Sequence, residues 1–213
     1  MARSLTPTLD KVPDHASDVA FTDTVKALQS RKGSRAAYAR MEAGGSWEQA
    51  ITPGLKAEIE AQTSVFLATA NGDGQPYIQH RGGPAGFLRV LDDRTIGFAD
   101  FAGNRQYITQ GNLAENRKAH LFLIDYEHRR RIKIWGTARV VEGDEVLLRR
   151  LMPAGYRARP EQVVLFSVVA WDVNCPQHIP QRFEAADVQA AIESRDRRIA
   201  ALEAEVAQLR SVA

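Results

Sequence analysis

Cysteine is almost absent from this chain, and the only one is Cys175. A single cysteine cannot close an intrachain disulfide, so no disulfide framework holds the fold together. Its neighbours Asn174 and Pro176 supply no general base, which favours a structural or bystander thiol over a nucleophile. We also expect no metal site.

Long apolar runs are missing as well. No run approaches 18 residues, so the sequence predicts no transmembrane helix. The opening stretch, residues 1–18, lacks the apolar centre of a secretory signal. We therefore expect a cytoplasmic protein without a membrane partner.

The chain also lacks an excess of either positive or negative charge. The chain has 28 basic and 26 acidic residues and a net charge of +2, which gives no support for a nucleic-acid partner. The local run at 128–131, HRRR, is typical of a solvated hairpin tip. With 213 residues, 44% of them hydrophobic, the chain can form one domain with appendages around a sizeable core.

Helical signals precede the strands. Residues 1–18 are polar with two prolines and predict an arm. Residues 21–41 predict a helix in two pieces, broken at 32–34 (KGS). Thr52 followed by Pro53 is a typical helix start, because threonine caps the first turn and proline suits its first position. This helix should run to about residue 62.

Strand patterns dominate the middle of the chain. The sequence NGDG at 71–74 strongly indicates a hairpin turn, and residues 131–141 alternate between apolar and polar side chains. Short helices are predicted from Arg105 and over 145–151. Strands are predicted over residues 64–70, 75–81, 87–91, 95–100, 119–126, 131–141 and 163–173. Seven strands with short turns favour a mainly β fold with flanking helices, an antiparallel barrel rather than a βαβ sheet.

The segment 97–116, GFADFAGNRQYITQGNLAEN, is the most informative for function. A strand runs into a turn of small residues at 102–104, and Arg105 is expected to open a helix. A helix N-terminus offers unpaired N–H groups, and arginine adds a charged fork that pairs with phosphate oxygens. The segment therefore suggests a phosphate-binding site, although a turn with a purely structural role has the same sequence pattern.

The last thirty residues have a different pattern. Ile192, Ile199 and Val206 are spaced seven apart. A second series with the same spacing contains Val188, Arg195, Leu202 and Leu209. This is a three-heptad pattern with one polar interruption. It predicts an amphipathic, coiled-coil-like helix, which either associates with a second copy or packs on its own barrel.

Three segments together resemble the pyridoxamine 5′-phosphate oxidase-like flavoproteins, the FMN-binding split-barrel family. They are GQPYIQHRGGPAGFLRVLDD, GFADFAGNRQYITQGNL and WDVNCPQHIPQRF. The resemblance covers roughly residues 52–183 and includes an RGGPxGF signature. It implies an antiparallel split β-barrel that binds FMN. The corresponding division is an N-terminal arm with helices (1–51), the FMN-binding barrel (52–183) and a C-terminal helix (184–213).

The resemblance also implies cofactor-binding residues. The family holds the FMN phosphate with a Ser-Arg-Lys-like triplet, which corresponds here to Asn104, Arg105 and Gln106, following Gly103. Because glutamine replaces lysine, a second cation must come from elsewhere, and Arg89 and Arg81 are the candidates. A further set of cofactor-binding residues corresponds to the family strand that lies along the edge of the flavin ring. These residues are Gln79, His80, Arg81 and Gly82.

The C-terminal segment resembles the family element that reaches the flavin of a second subunit. That element has a tryptophan, then Arg-x-His, then arginine; this chain has Trp171, Gln177-His178 and Arg182, with one extra residue of spacing. The resemblance therefore implies a homodimer with flavin at the interface. The arginine that the family uses to bind the phosphate of pyridoxamine phosphate is absent here, and Gln177 stands nearby instead, which argues against that substrate.

The resulting functional hypothesis is an FMN-dependent oxidoreductase that acts on a small organic substrate, with NADH or NADPH as an electron donor to be tested. His80 and His178 are the weak candidates for a catalytic acid or base. The alternative is a non-catalytic flavin- or haem-binding split-barrel protein, and a deazaflavin could replace FMN.

Overall fold

The computed structural model describes residues 14–45 and 47–212. Contacts divide them into two compact units. The first runs to Ile124 and resumes over Arg131–Cys175, and the second contains Asp125–Arg130 and the chain from Pro176 onwards. Within the described ranges, no helix combines the length and the hydropathy needed to cross a bilayer.

The first unit contains five α-helices and nearly all of the sheet. After a 3₁₀ helix at Ala16–Val19, the α-helices are α1 (Asp23–Arg31), α2 (Arg35–Ala43), α3 (Pro53–Ala61), α4 (Ile108–Glu115) and α5 (Glu145–Leu151). Thr52 caps α3 as predicted, because its hydroxyl oxygen accepts the Leu55 N–H at 3.2 Å. The predicted break between α1 and α2 is also confirmed.

Seven strands form one sheet. They are β1 (Ser64–Ala70), β2 (Pro76–Gly82), β3 (Arg89–Val90), β4 (Thr95–Phe101), β5 (Lys118–Asp125), β6 (Arg130–Val141) and β7 (Pro160–Asn174). Their order is β2-β1-β5-β6-β7-β4-β3. The pairings with a defined register are all antiparallel. The predicted mainly β, antiparallel architecture with flanking helices is therefore confirmed.

The core lies against the inner face of this sheet. Alternate residues of β6 are buried, including Ile132, Ile134 and Ala138, because side chains of a strand point to opposite faces. They pack with Leu55 and Ile59 of α3 in the main apolar cluster. The alternation predicted for 131–141 is thus confirmed.

A bulge in the pairing of β6 with β7, where Val169 of β7 has no partner residue on β6, depends on a glycine. The register of β6 with β7 shifts between Trp135 and Gly136. A Cβ added at Gly136 would lie 2.1 Å from the Ser167 carbonyl oxygen and 2.6 Å from a ring carbon of Phe166. Any side chain at this position would therefore displace β7 or a buried ring.

The prediction that a helix begins at Arg105 is wrong about the first residue of that helix. Helix α4 begins at Ile108, and both Arg105 (φ 58°) and Tyr107 (φ 54°) have left-handed backbone conformations. The Asn104 side-chain oxygen accepts the Gln106 N–H at 3.3 Å. Such a local side-chain turn competes with helix formation, so 102–107 is a loop rather than a first helical turn.

Two further sequence predictions need correction. The strand predicted over 87–91 contains only Arg89–Val90, because Phe87 N–H donates to the Pro84 carbonyl in a turn. In the predicted arm, residues 1–13 lie outside the described residues, but Ala16 and Ser17 are buried in a 3₁₀ helix. An ion pair between Asp18 and Lys26 at 2.6 Å ties this helix to α1.

The second unit consists of a hairpin tip, a connecting segment and a long helix. Helix α6 spans Ala185–Val212, as the tail pattern predicts. Before it, the Gln181 side-chain amide donates to the Glu127 carbonyl at 2.9 Å. The Arg182 guanidinium lies over the Tyr126 ring, 4.5 Å from its centroid.

Candidate functional site

An open cleft lies in the first unit, where β2 faces β4 and the loop that follows it. Two groups of sequence-predicted residues line it together: Gln79 and Arg81 from β2, and Gly103, Asn104, Arg105 and Gln106 from the loop. The two groups are more than twenty residues apart in sequence. The fold therefore brings six predicted cofactor-binding residues to one surface.

A buried ion pair forms the wall of the cleft. Arg81 Nη1 lies 2.7 Å from Asp100 Oδ1, and the two side chains are only 17% and 9% exposed. The other Asp100 oxygen accepts the Gln162 side-chain amide at 3.0 Å. Arg81 Nε is buried without a hydrogen-bond partner among the described residues. An unpaired buried donor is costly, which makes this N–H a candidate contact for a bound acceptor.

Helix α4 fixes the floor of the cleft. The Thr109 hydroxyl donates to the Gln79 side-chain oxygen at 2.9 Å, which joins the start of α4 to β2. One turn later, the buried Asn112 amide donates to the Thr69 hydroxyl of β1 at 3.0 Å. These two hydrogen bonds hold α4, and hence the preceding loop, against the sheet.

Glu161 organises the polar end of the cleft. The Tyr107 hydroxyl donates to Glu161 Oε1 at 2.9 Å, and this hydrogen bond raises the pKa of Tyr107. Arg105 Nε lies 3.9 Å from the same oxygen, and the Arg105 side chain remains 57% exposed. Arg105 is thus only loosely tethered, and its guanidinium is available to an anion in the cleft.

A second concavity adjoins the first. It is lined by His80, Gly82, Phe87, Phe98 and Ala99, and it shares Arg81, Asp100 and Phe101 with the cleft. His80 Nε2 lies 2.8 Å from the Ser64 hydroxyl. A Cβ added at Gly83 would lie 2.7 Å from the Phe87 Cβ, so packing against Phe87 already requires this glycine.

Two predicted cofactor-binding residues of the first unit lie away from both concavities. Arg89 is exposed on β3, opposite Gly97. Trp171 on β7 donates its indole N–H to the Ala50 carbonyl at 2.9 Å, and its backbone N–H donates to the Glu48 carbonyl at 2.8 Å. Trp171 therefore anchors the segment before α3, and its approach to the flavin of a partner stays a prediction.

The other three predicted residues belong to the second unit. Gln177 and His178 are exposed, and His178 has a left-handed backbone with φ 64°. Arg182 stacks on Tyr126 and donates its backbone N–H to the Tyr126 carbonyl at 3.3 Å. Their predicted roles at a flavin likewise stay predictions.

The sequence interpretation did not identify Asp100, Glu161, Tyr107, Thr109 or Gln162 as part of the site. Asp100 carried a readable signal, because it is the only charged residue in the apolar strand TIGFADF. A carboxylate within such a strand needs a cationic partner. Glu161 and Gln162 could not be found without the pairing of β4 with β7.

A protein-family model described as pyridoxamine 5′-phosphate oxidase matches residues 51–175, more than half of the chain. The matched range contains every residue that lines the cleft and the second concavity. No curated protein matches the chain.

Several solved structures are similar. HupZ of Group A Streptococcus is 21% identical, with 62% of this chain and 99% of HupZ covered at a TM-score of 0.48. An FMN-binding protein from Syntrophomonas wolfei is 12% identical, with 71% and 97% covered at 0.45. An FAD-binding protein from Mycobacterium smegmatis is 16% identical, with 60% and 97% covered at 0.40. All three TM-scores are below 0.5, so they add no argument about cofactor or activity.

Proposed function

Because the chain belongs to the pyridoxamine 5′-phosphate oxidase family, we propose that it is a flavoprotein that binds FMN in the cleft and acts as an oxidoreductase on a small organic substrate. The observation that carries the proposal is the position of the cleft. It lies wholly within the family match, and it gathers two arginines and an open glycine turn on one surface.

The residues present fit a phosphate at the loop end of the cleft. The Arg105 side chain is 57% exposed, and its one ion pair within the described part of the chain is a long contact with Glu161. A guanidinium fork binds phosphate oxygens through charge-assisted hydrogen bonds, which are stronger than neutral ones. A Cβ added at Gly103 would meet no atom within 4 Å, so the backbone there is open to a ligand.

The wall of the cleft fits the polar edge of a flavin ring. Arg81 Nε is a buried donor without a partner in the described ranges 14–45 and 47–212, and a ring oxygen or nitrogen would satisfy it. The Asp100 carboxylate holds the guanidinium in place, and Gln79 is held by Thr109. When bound, FMN supplies the hydride and electron chemistry, while these side chains bind and orient it.

The second concavity supplies a place for substrate beside the same ion pair. His80 lies there with one ring nitrogen on the Ser64 hydroxyl, which makes it the better placed of the two histidine candidates for proton transfer. We propose a small, weakly charged organic substrate, with NADH or NADPH as the reductant to test first.

We also propose that the working unit is a homodimer in which each subunit contributes to the flavin sites of the other. The support is the resemblance of the segment containing Trp171, Gln177 and Arg182 to the family element that crosses between subunits. Light scattering of the purified protein tests this directly, and a monomer at micromolar concentration would contradict it.

The cofactor is tested on the full chain by its visible spectrum, followed by denaturation and mass identification of the released compound. We expect about one FMN per chain, either as purified or after incubation with added FMN. Released FAD, a deazaflavin or a haem Soret band would contradict the FMN assignment, and so would failure to bind FMN at micromolar concentration.

A further inference from the structure

Helix α6 has no apolar cover among the described residues. Residues 185–211 are all exposed, although the helix contains several large aliphatic side chains. A 28-residue helix is about 42 Å long, and an isolated polar helix of that length would need no such side chains. The exposed aliphatic residues are Val188, Ile192, Ile199, Leu202, Val206 and Leu209.

These side chains form one continuous seam with defined heptad positions. The alternating spacing of four and three residues places Ile192, Ile199 and Val206 at position a. Position d is occupied by Val188, Arg195, Leu202 and Leu209. After Ala185 at the first a position, the three a residues are β-branched, and two of the four d residues are leucine; β-branched residues at a with leucine at d favour two parallel strands.

The flanking charges are complementary for a second copy of the same helix. In a parallel pair, a g residue faces the e residue five positions later on the other strand. Here Arg198 at g would face Glu203 at e, and Glu205 at g would face Arg210 at e. Both pairs join opposite charges. In an antiparallel pairing with Ile199 opposite Leu202, e residues face e residues and g residues face g residues. Arg198 then meets Glu205, but Asp196 meets Glu203, so one of the two kinds of pair joins like charges.

We propose that α6 forms a parallel two-stranded coiled coil with α6 of a second copy of this chain. Arg195 at d fits this arrangement, because Asp196 at e of the other strand borders the cavity into which a d side chain inserts. Arg195 lowers the stability of the coiled coil, but it fixes the register of the two helices, as a single polar core residue does in other coiled coils. The proposal does not depend on the cofactor.

Disulfide trapping tests both contact and orientation in the full-length protein. The exposed Cys175 is first replaced by serine, so that each variant has one thiol. Val206→Cys at position a is compared with Ala204→Cys at the outward position f, under mild oxidation. We expect a disulfide-linked dimer from Val206→Cys in several-fold higher yield than from Ala204→Cys.

Equal yields, or no dimer from Val206→Cys, would overturn the proposal. In the antiparallel alternative, Val206 faces Arg195, so a mixture of the Arg195→Cys and Val206→Cys proteins would cross-link instead, and that result would overturn the parallel orientation. Circular dichroism of each variant shows whether helix content is retained. Because trapping reports contact within α6, a dimer formed only through the barrel gives no signal.

Charge reversal supplies an independent readout on the same Val206→Cys background. Arg198→Glu places like charges at both symmetry-related Arg198–Glu203 positions, so the trapping yield should fall several-fold. Adding Glu203→Arg restores opposite charges and should restore the yield. A yield that Arg198→Glu leaves unchanged, or that the double variant does not recover, would contradict the proposed register.

Discussion

Arg81 and Asp100 join β2, one edge of the seven-stranded sheet, to β4, the second strand from the other edge, through an ion pair of 2.7 Å. The sheet is thus linked across its open side by side chains rather than by a backbone ladder. The same pair separates the candidate cofactor cleft from the adjoining concavity. The Arg81–Asp100 contact therefore contributes both to the stability of the sheet and to the shape of the candidate site.

Removing one member of this pair should destabilise the fold more than removing both charges. Asp100→Asn leaves the Arg81 charge without its counter-ion, and Arg81→Gln does the same to Asp100. We expect each single variant to lose about 2–4 kcal/mol of unfolding free energy, near the lower end for buried pairs because Arg81 retains some exposure. The double variant should lose less unfolding free energy than either single variant, as measured by urea denaturation. Additive losses would show that the two charges do not interact.

Arg105→Ala should weaken FMN binding with little effect on folding. The lost phosphate contact is worth about 1.5–3 kcal/mol, or about 10- to 150-fold in Kd. Fluorescence titration measures the affinity, and thermal unfolding of the apo-protein measures stability. Arg89→Ala is the matched control, because Arg89 is exposed outside both concavities. A larger loss of affinity from Arg89→Ala than from Arg105→Ala would place the phosphate elsewhere.

Gly136→Ala should destabilise the sheet by about 1–3 kcal/mol, since the new methyl group would collide with the Ser167 carbonyl. Gly111→Ala is the matched control. Gly111 lies exposed in α4, and a Cβ there would meet nothing within 4 Å. Alanine at 111 should be neutral or stabilise by up to about 1 kcal/mol through helix propensity. Equal urea midpoints for the two variants would contradict the close packing at the bulge.

His120 should make the fold sensitive to acid. Burial, together with nearby Lys133, lowers the pKa of His120 to about 4, and its ring packs edge-on against Trp135 at 4.9 Å. In the unfolded chain this histidine takes up its proton near pH 6.5. Between these two values the unfolded state binds more protons, so stability is complete above about pH 6.5 and is lost as the pH falls toward 4.

The comparison of wild type with His120→Gln measures this contribution. From pH 7.5 to pH 4.5 the wild type should lose about 1–3 kcal/mol more unfolding free energy than the variant. Parallel urea denaturation curves at the two pH values give both losses. If the two proteins lose the same amount, another group is responsible for the acid sensitivity.

The holo-protein should be a poor pyridoxamine 5′-phosphate oxidase. Gln177 can donate a hydrogen bond but cannot neutralise a phosphate dianion, and an unpaired buried dianion is costly. Incubation with pyridoxamine phosphate and oxygen should therefore form pyridoxal phosphate far more slowly than roughly 1 per second. Reduction of the bound flavin by NADH or NADPH is the control for a competent cofactor. Turnover at enzymatic rates would contradict the expected substrate preference.

Regular periodicity and caps predicted most of the fold. The break between α1 and α2, the Thr52 cap, the seven strands and α5 at Glu145–Leu151 all follow from local patterns. The loop before α4 did not follow, because the left-handed conformations of Arg105 and Tyr107 contradict their ordinary propensities. The partners of Arg81 and Glu161 could not be predicted either. They depend on which strands become neighbours, and that is decided by packing.

The Arg81–Asp100 ion pair, which joins β2 to β4, has a consequence for ligand binding in the cleft. Among the described residues, β2 and β4 are not neighbours in the sheet and are joined by the Arg81–Asp100 ion pair, whereas β4 and β7 are joined by a continuous antiparallel ladder. Local separation of β2 from β4 therefore costs far less free energy than cooperative unfolding of the sheet. A ligand in the open cleft can therefore displace this wall locally while the ladder between β4 and β7 stays intact.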